Sequence, residues 1–184
     1  VDHSGIGLQD TALPVTDVGS TVHELRGPAG ANKRLAQSFS LPRVSVIDAV
    51  RFSFVKNGAP KGSVSARIET NSSGEPSGTL VDSSAQTRRV DVGTIAVGGA
   101  LDALIFPSNL VLSANTILWI VLEGDNAYAD SWSPGLSGDN VVWNAEDPGS
   151  YSDGDAFTFN SSTSVWSIFT DEVGTREDFR VLLG

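Results

Sequence analysis

Val50-Arg51-Phe52-Ser53-Phe54, then Lys56-Asn57-Gly58-Ala59-Pro60-Lys61-Gly62, then Ser63-Val64-Ser65-Ala66-Arg67-Ile68-Glu69: this stretch decides the fold. Apolar and polar side chains alternate in the first and third runs. Successive residues of a strand point to opposite faces, so Val50, Phe52 and Phe54, and likewise Val64, Ala66 and Ile68, are expected in a core. Ser65, Arg67 and Glu69 are then expected to face solvent. Asn-Gly between the runs takes positive φ at little cost. The two runs therefore read as adjacent antiparallel strands with a clean inside and outside.

Further along, Gly74-Glu75-Pro76-Ser77-Gly78 reads as a turn, Thr79-Leu80-Val81 and Gln86–Val92 as strands, and Leu101–Phe106 as a strand closed by Pro107. Ile117-Leu118-Trp119-Ile120-Val121-Leu122 is apolar on both faces, so it predicts a central strand covered by the opposing sheet on one side and by a loop or partner on the other. Upstream, residues 1–33 are rich in Gly, Pro, Thr, Val and Asp, with alternation only at Thr21–Arg26, and read as an extended arm carrying one short strand. Downstream, Gly124–Gly154 is rich in Gly, Asp, Ser and Asn and is broken by Val141-Val142-Trp143, while Ser164–Thr170 and Phe179–Leu183 look like the last strands. No helical period interrupts the series. The chain of 184 residues fits one all-β domain at 34–184, an antiparallel β-sandwich, preceded by the 1–33 arm.

Composition excludes several chemistries. With no Cys there is no Cys-ligated zinc, Fe–S cluster or thiol nucleophile, and the only histidines, His3 and His23, both lie near the N-terminus. The net charge of −10 argues against a nucleic-acid partner. Residues 1–122 are balanced at ten acidic and ten basic side chains, whereas 123–184 hold twelve acidic ones against Arg176 and Arg180. No apolar run reaches the roughly 18 residues of a membrane helix, so no membrane insertion is expected. The N-terminus lacks the basic-then-apolar pattern of a secretory signal.

Leu35-Ala36-Gln37-Ser38-Phe39, Gly62-Ser63-Val64 running into Arg67-Ile68-Glu69-Thr70, Gly74-Glu75-Pro76-Ser77-Gly78-Thr79-Leu80, and Leu112-Ser113-Ala114-Asn115-Thr116 with Trp119-Ile120-Val121-Leu122 carry a family likeness. Together they resemble a jelly-roll module found in bacterial and phage proteins, similar to carbohydrate-binding sandwiches of secreted proteins and to virion proteins of tailed phages such as fibres and head decorations. The likeness covers about residues 35–122; beyond Glu123 the chain is more acidic than that family's usual aromatic and Gly-rich stretch. It implies a jelly-roll ordering of strands and a virion or secreted context. It transmits no catalytic residues, because the shared motifs are turns.

Candidate sites follow the acidic third. Tyr128, Trp132, Trp143 and Tyr151 lie among Asp, Asn and Gly, the composition of a glycan-binding loop surface where a flat ring stacks on a pyranose; the alternative is that Trp143, next to Val141 and Val142, is a core or interface residue and that Tyr128 or Trp132 anchors its loop. Trp119 and Trp166 read as core. Asp125, Asp139, Asp153 and Asp155 stand beside glycines or asparagine, as a structural calcium would require, although none matches an EF-hand loop. In the arm, Ile6, Leu8, Leu13, Val15 and Val18 are apolar and suited to ordering on a neighbouring subunit, and Val165, Trp166, Ile168 and Phe169 suit part of a subunit interface. Asn71-Ser72-Ser73 and Asn160-Ser161-Ser162 match a glycosylation sequon but read as turn residues. The resemblance, with the lack of a signal peptide and of catalytic groups and with the arm, implies a non-enzymatic virion protein, capsid decoration or tail component, whose partners are other virion proteins or its own copies. The alternative is a secreted carbohydrate-binding module directed at cell-surface glycan.

Overall fold

The structure, a computed structural model, describes residues 11–12, 22–25, 32–95, 101–124, 140–146, 155–160, 162–168, 178–179 and 181–183. In chain order the strands are β1 (Thr11–Ala12), β2 (Val22–Leu25), β3 (Asn32–Phe39), β4 (Ser45–Asn57), β5 (Ser63–Ser72), β6 (Glu75–Leu80) and β7 (Val90–Asp91). After a single 3₁₀ turn at Val92–Thr94 come β8 (Leu101–Leu112), β9 (Leu118–Gly124), β10 (Asn140–Glu146), β11 (Ala156–Asn160), β12 (Val165–Ile168), β13 (Asp178–Phe179) and β14 (Val181–Leu183).

Two antiparallel sheets result. The first runs β1-β14-β4-β10-β13, with β2 on β10 and β8 on β4; the second runs β12-β11-β3-β9-β5-β6, with β7 also on β5. Their inner faces share one core. Ile47, Val50, Phe52 and Phe54 of β4, Leu104, Phe106, Leu110 and Leu112 of β8, and Val141 and Trp143 of β10 meet Leu35 and Phe39 of β3, Val64, Ala66 and Ile68 of β5, and Leu118, Ile120 and Leu122 of β9. Each large apolar side chain so buried stabilises the fold by about 1.5–3 kcal/mol relative to exposure. The chain is an antiparallel β-sandwich, as the alternation predicts.

The decisive stretch departs from expectation in one respect. β4 and β5 are not paired with each other: β4 pairs β8, β10 and β14, while β5 pairs β9, β6 and β7. The Gly-rich link is thus a corner between sheets, and the two apolar rows face each other across the core. Gly58 and Gly62 take the positive φ this corner needs, at 62° and 102°. The corner is tied down by Val92 N–H donating to Gly62 O at 3.0 Å and by Lys56 Nζ donating to Gly93 O at 2.9 Å.

Two turn readings are also revised. β8 does not end at Pro107 but runs on to Leu112; four residues lie between Ile105 and Leu110 where β4 has only Asp48 between Ala49 and Ile47. Pro107 marks the place where the strand bows out of its ladder, which is where a residue without an N–H is tolerated. The 74–78 turn is tighter than expected: Ser73 and Gly74 make it with positive φ, and Glu75-Pro76-Ser77-Gly78 already belongs to β6. β11 was not anticipated, because Ala156-Phe157-Thr158-Phe159 begins just beside the acidic run that dominates its neighbourhood.

At the two described places in the first thirty-one residues, the chain pairs with itself. Thr11 and Ala12 stand opposite Leu183 and Leu182, and Val22–Leu25 opposite Asn144–Val141. Ile6, Leu8, Leu13, Val15 and Val18 lie outside the described residues.

Candidate functional site

β9 is buried along its whole length, on both faces. Its inner residues belong to the core, and its outer ones, Trp119, Val121 and Glu123, organise the outside of the second sheet. The register places Ser38, Trp119 and Glu69 in one cross-strand row, Phe157, Ala36, Val121 and Arg67 in the next, and Trp166, Phe159, Arg34, Glu123 and Ser65 in the third.

This corrects the expectation that Ser65, Arg67 and Glu69 face solvent: Ser65 and Glu69 are buried and Arg67 nearly so. Charge is tolerated there because the side chains pair in a line. Glu69 pairs with Arg67, Arg67 Nη1 lies 3.4 Å from Glu123 Oε2, and Arg34 Nη2 lies 3.2 Å from Glu123 Oε1. Two carboxylates and two guanidiniums alternate and cancel. Glu69 also accepts a 2.7 Å bond from Gly78 N–H, tying β5 to the end of β6. Ser65 Oγ and Arg67 Nε are buried without a hydrogen-bond partner among the described residues.

Towards the other edge the row turns aromatic. Trp119 packs edge-on against Phe157, centroids 5.0 Å apart, and its Nε1 donates to Asn71 Oδ1 at 2.9 Å. Phe159 and Trp166 are tilted rings 5.0 Å apart, and the Arg34 guanidinium lies 5.2 Å above Phe159. Ala36, Trp119, Val121 and Phe157 form a second apolar cluster, against which the half-buried Trp166 packs. The hairpin that presents Trp166 is closed by Asn160, whose Oδ1 accepts from Ser162 N–H at 3.0 Å, Ser162 Oγ at 2.6 Å and Thr163 N–H at 3.3 Å. Both sequon asparagines thus use their Oδ1 as an acceptor within the chain, Asn71 for an indole and Asn160 for a turn.

Of the aromatic residues expected to form a glycan surface, Trp143 is corrected. It is wholly buried between the sheets, edge-on to Phe52 at 4.7 Å, so it has no free face to offer a sugar. Tyr128, Trp132 and Tyr151 lie outside the described residues, as do Asp125, Asp139 and Asp153 of the expected calcium set. Asp155 is described; its N–H donates to Ser38 Oγ at 2.6 Å and its carbonyl accepts from Ser38 N–H at 2.9 Å, so the backbone extends the β11–β3 ladder. Among the described residues no three His, Asp or Glu side chains gather as a metal site would need.

Arg34, Arg67, Glu69 and Glu123 were not singled out from sequence. The available signal was Arg67 and Glu69, opposite charges two apart on one strand face, beside a strand apolar on both faces. Comparison of the chain with protein-family models, with curated proteins and with solved structures finds no match.

Proposed function

We propose that this chain is a non-enzymatic structural protein of a tailed-phage virion, a capsid decoration or a tail component, held in place through strand and face contacts with neighbouring subunits. The observation that carries this reading is an apolar row on the outer face of the first sheet. Val46 and Val111 stand opposite each other across the β4–β8 ladder, with Val44 at its end and Ile105 further along β8, each between 49% and 71% exposed. Exposed β-branched residues grouped on one face mark a contact surface more than isolated ones do. The resemblance of residues 35–122 to jelly-roll virion modules supplies the context.

The test is a density gradient of particles from cells that encode the chain. The protein is expected to band with the particles at fixed stoichiometry, and a folded Val46→Lys/Val111→Lys variant to stay in the free fraction. Wild-type protein found only in the free fraction would overturn the proposal.

A carbohydrate-binding reading retains one described feature, the half-buried Phe159–Trp166 pair beside Arg34, which offers a ring face and a guanidinium to a sugar. Titration of a glycan panel against wild type and Trp166→Ala tests it: heat of binding present in the first and lost in the second supports it, and none in either removes it.

A further inference from the structure

We infer that the β12 edge of the second sheet is a seam between two copies of this chain, joined antiparallel about a two-fold axis at Ser167. The inference rests on the assembly reading and names its partner.

Sheet edges invite strand addition, and folded proteins blunt them with charge, proline, bulges or brevity. Every other described edge here is blunted. β6 carries Glu75, Pro76 and a Gly78 at φ 77°. β8 bows out around Pro107, and Arg88 N–H already occupies the Ile105 carbonyl at 3.3 Å. β1, β7 and β13 are two residues long, and β2 holds His23 and Glu24. β12 is Val165-Trp166-Ser167-Ile168, with none of these devices, and it pairs only with β11 among the described residues. Val165 and Ile168 are exposed.

Charge points to a second copy as the occupant. The last third of the chain holds twelve acidic side chains, yet residues 156–170 contain no charged side chain. An uncharged edge in so acidic a region matches an equally uncharged strand, and the same hairpin on another copy is one. Register completes the argument. Ile168 lies opposite Phe157 and Trp166 opposite Phe159, so both face outward, while Ser167 lies opposite Thr158 on the inward side. In a continuous sheet, outward residues must pair with outward ones. Centring the pair on Ser167 sets Trp166 against Ile168 of the second copy, and the reverse. The outer apolar cluster then runs unbroken across the seam. Centring it one half-step away would set Trp166 against Ser167 of the second copy and mismatch the faces, and centring it on Trp166 would set Ile168 against Ser164, which lies outside the strand with a φ of 56°. A four-residue ladder makes a weak contact in solution and an effective one where many copies are held together.

The chain has no Cys, so a single Ser167→Cys gives a clean crosslinking probe. Directly opposed residues of an antiparallel pair have Cα atoms about 4.5–5.5 Å apart, within disulfide reach. Under mild oxidation Ser167→Cys is expected to give a disulfide dimer roughly a hundredfold faster than Ser83→Cys, an exposed control, because pairing raises the local thiol concentration from micromolar towards millimolar. In sedimentation velocity, wild type is expected to shift towards twice the 19.3 kDa monomer mass as concentration rises, and a folded Ile168→Lys variant to stay monomeric. Equal crosslinking rates for the two cysteine variants would overturn the seam. So would oligomers that Ile168→Lys leaves intact, although the assembly reading would then survive with another contact. Loss of particle attachment in Ile168→Lys without Ser167→Cys crosslinking would give the edge to a different protein and also overturn the inference. Absence of wild type from particles removes the assembly reading whatever the cysteines do.

Discussion

The line of charges from Glu69 through Arg67 and Glu123 to Arg34 runs from interior to surface, its side chains 1%, 15%, 9% and 31% exposed. Truncating its members should therefore cost unequal amounts. Glu69→Ala removes the partner of Arg67 and strands the Gly78 N–H, and breaking a buried pair from one side costs about 3–5 kcal/mol. Arg34→Ala removes a nearly surface bond and a cation–π contact, and should cost about 1 kcal/mol. Glu69→Gln keeps an acceptor for Gly78 and loses only the charge, so it falls between them. Urea unfolding followed by tryptophan fluorescence reads the series: with a slope of about 2 kcal/mol per molar, Glu69→Ala should lower the midpoint by about 2 M and Arg34→Ala by about 0.5 M. A Glu69→Ala midpoint within about 0.5 M of wild type, or an Arg34→Ala variant as unstable as Glu69→Ala, would refute the graded burial from which these values are worked.

Trp143→Ala opens a cavity between the sheets and should cost about 3–5 kcal/mol in the same assay, while leaving any sugar binding unchanged in protein that remains folded. The Asp82 carboxyl is held below its ordinary value by hydrogen bonds from the Ser84 hydroxyl and then the Ser84 N–H. A lowered folded pKa means that its stabilising effect is present above the unfolded value of about 3.9 and is lost as pH falls through the lower folded one. Carbon-detected NMR titration should show Asp82 below that reference and Ser84→Ala moving it up; no movement would dismiss the bond as the cause. Removing residues 1–20 takes away the two-residue β1 ladder and should leave a folded sandwich by circular dichroism, with a Tm lower by about 2–4 °C per kcal/mol lost. Global unfolding of that truncation would show that the first residues do more than edge a sheet.

The residues that alternate cleanly were legible. Val50, Phe52, Phe54, Val64, Ala66 and Ile68 are all buried where period two puts them. The double-sided burial of β9 was legible as well, since only a strand covered on both sides tolerates Leu118 to Leu122. Which strands pair was not, because alternation states which way a residue faces and is silent about its neighbour across the ladder. β4 and β5 illustrate this: the same pattern serves a hairpin or a corner between sheets. The line of charges was missed for a related reason. Arg67 and Glu69 on the polar side of an alternating strand look like solvated residues until Glu123 is brought beside Arg67 from 56 positions away, with Arg34 beside Glu123 from 89 positions away. Trp143 misled because local composition around it is polar, while its burial is set by Phe52 and Phe54 of a distant strand.

The pairing of Thr11 with Leu183 has a consequence for how the molecule is made. On the ribosome, β3, β5 and β9 emerge together within residues 32–124 and can pair as a unit. The first sheet cannot close until residue 183 has left the exit tunnel, because β14 sits between β1 and β4. Until then Phe52 and Phe54 of β4 lack the neighbours that β10 and β14 bring, Trp143 and Val181 among them. Contacts this distant in sequence form slowly, so the interval between synthesis of the second sheet and closure of the first is when the nascent chain is most exposed to aggregation and to capture by chaperones.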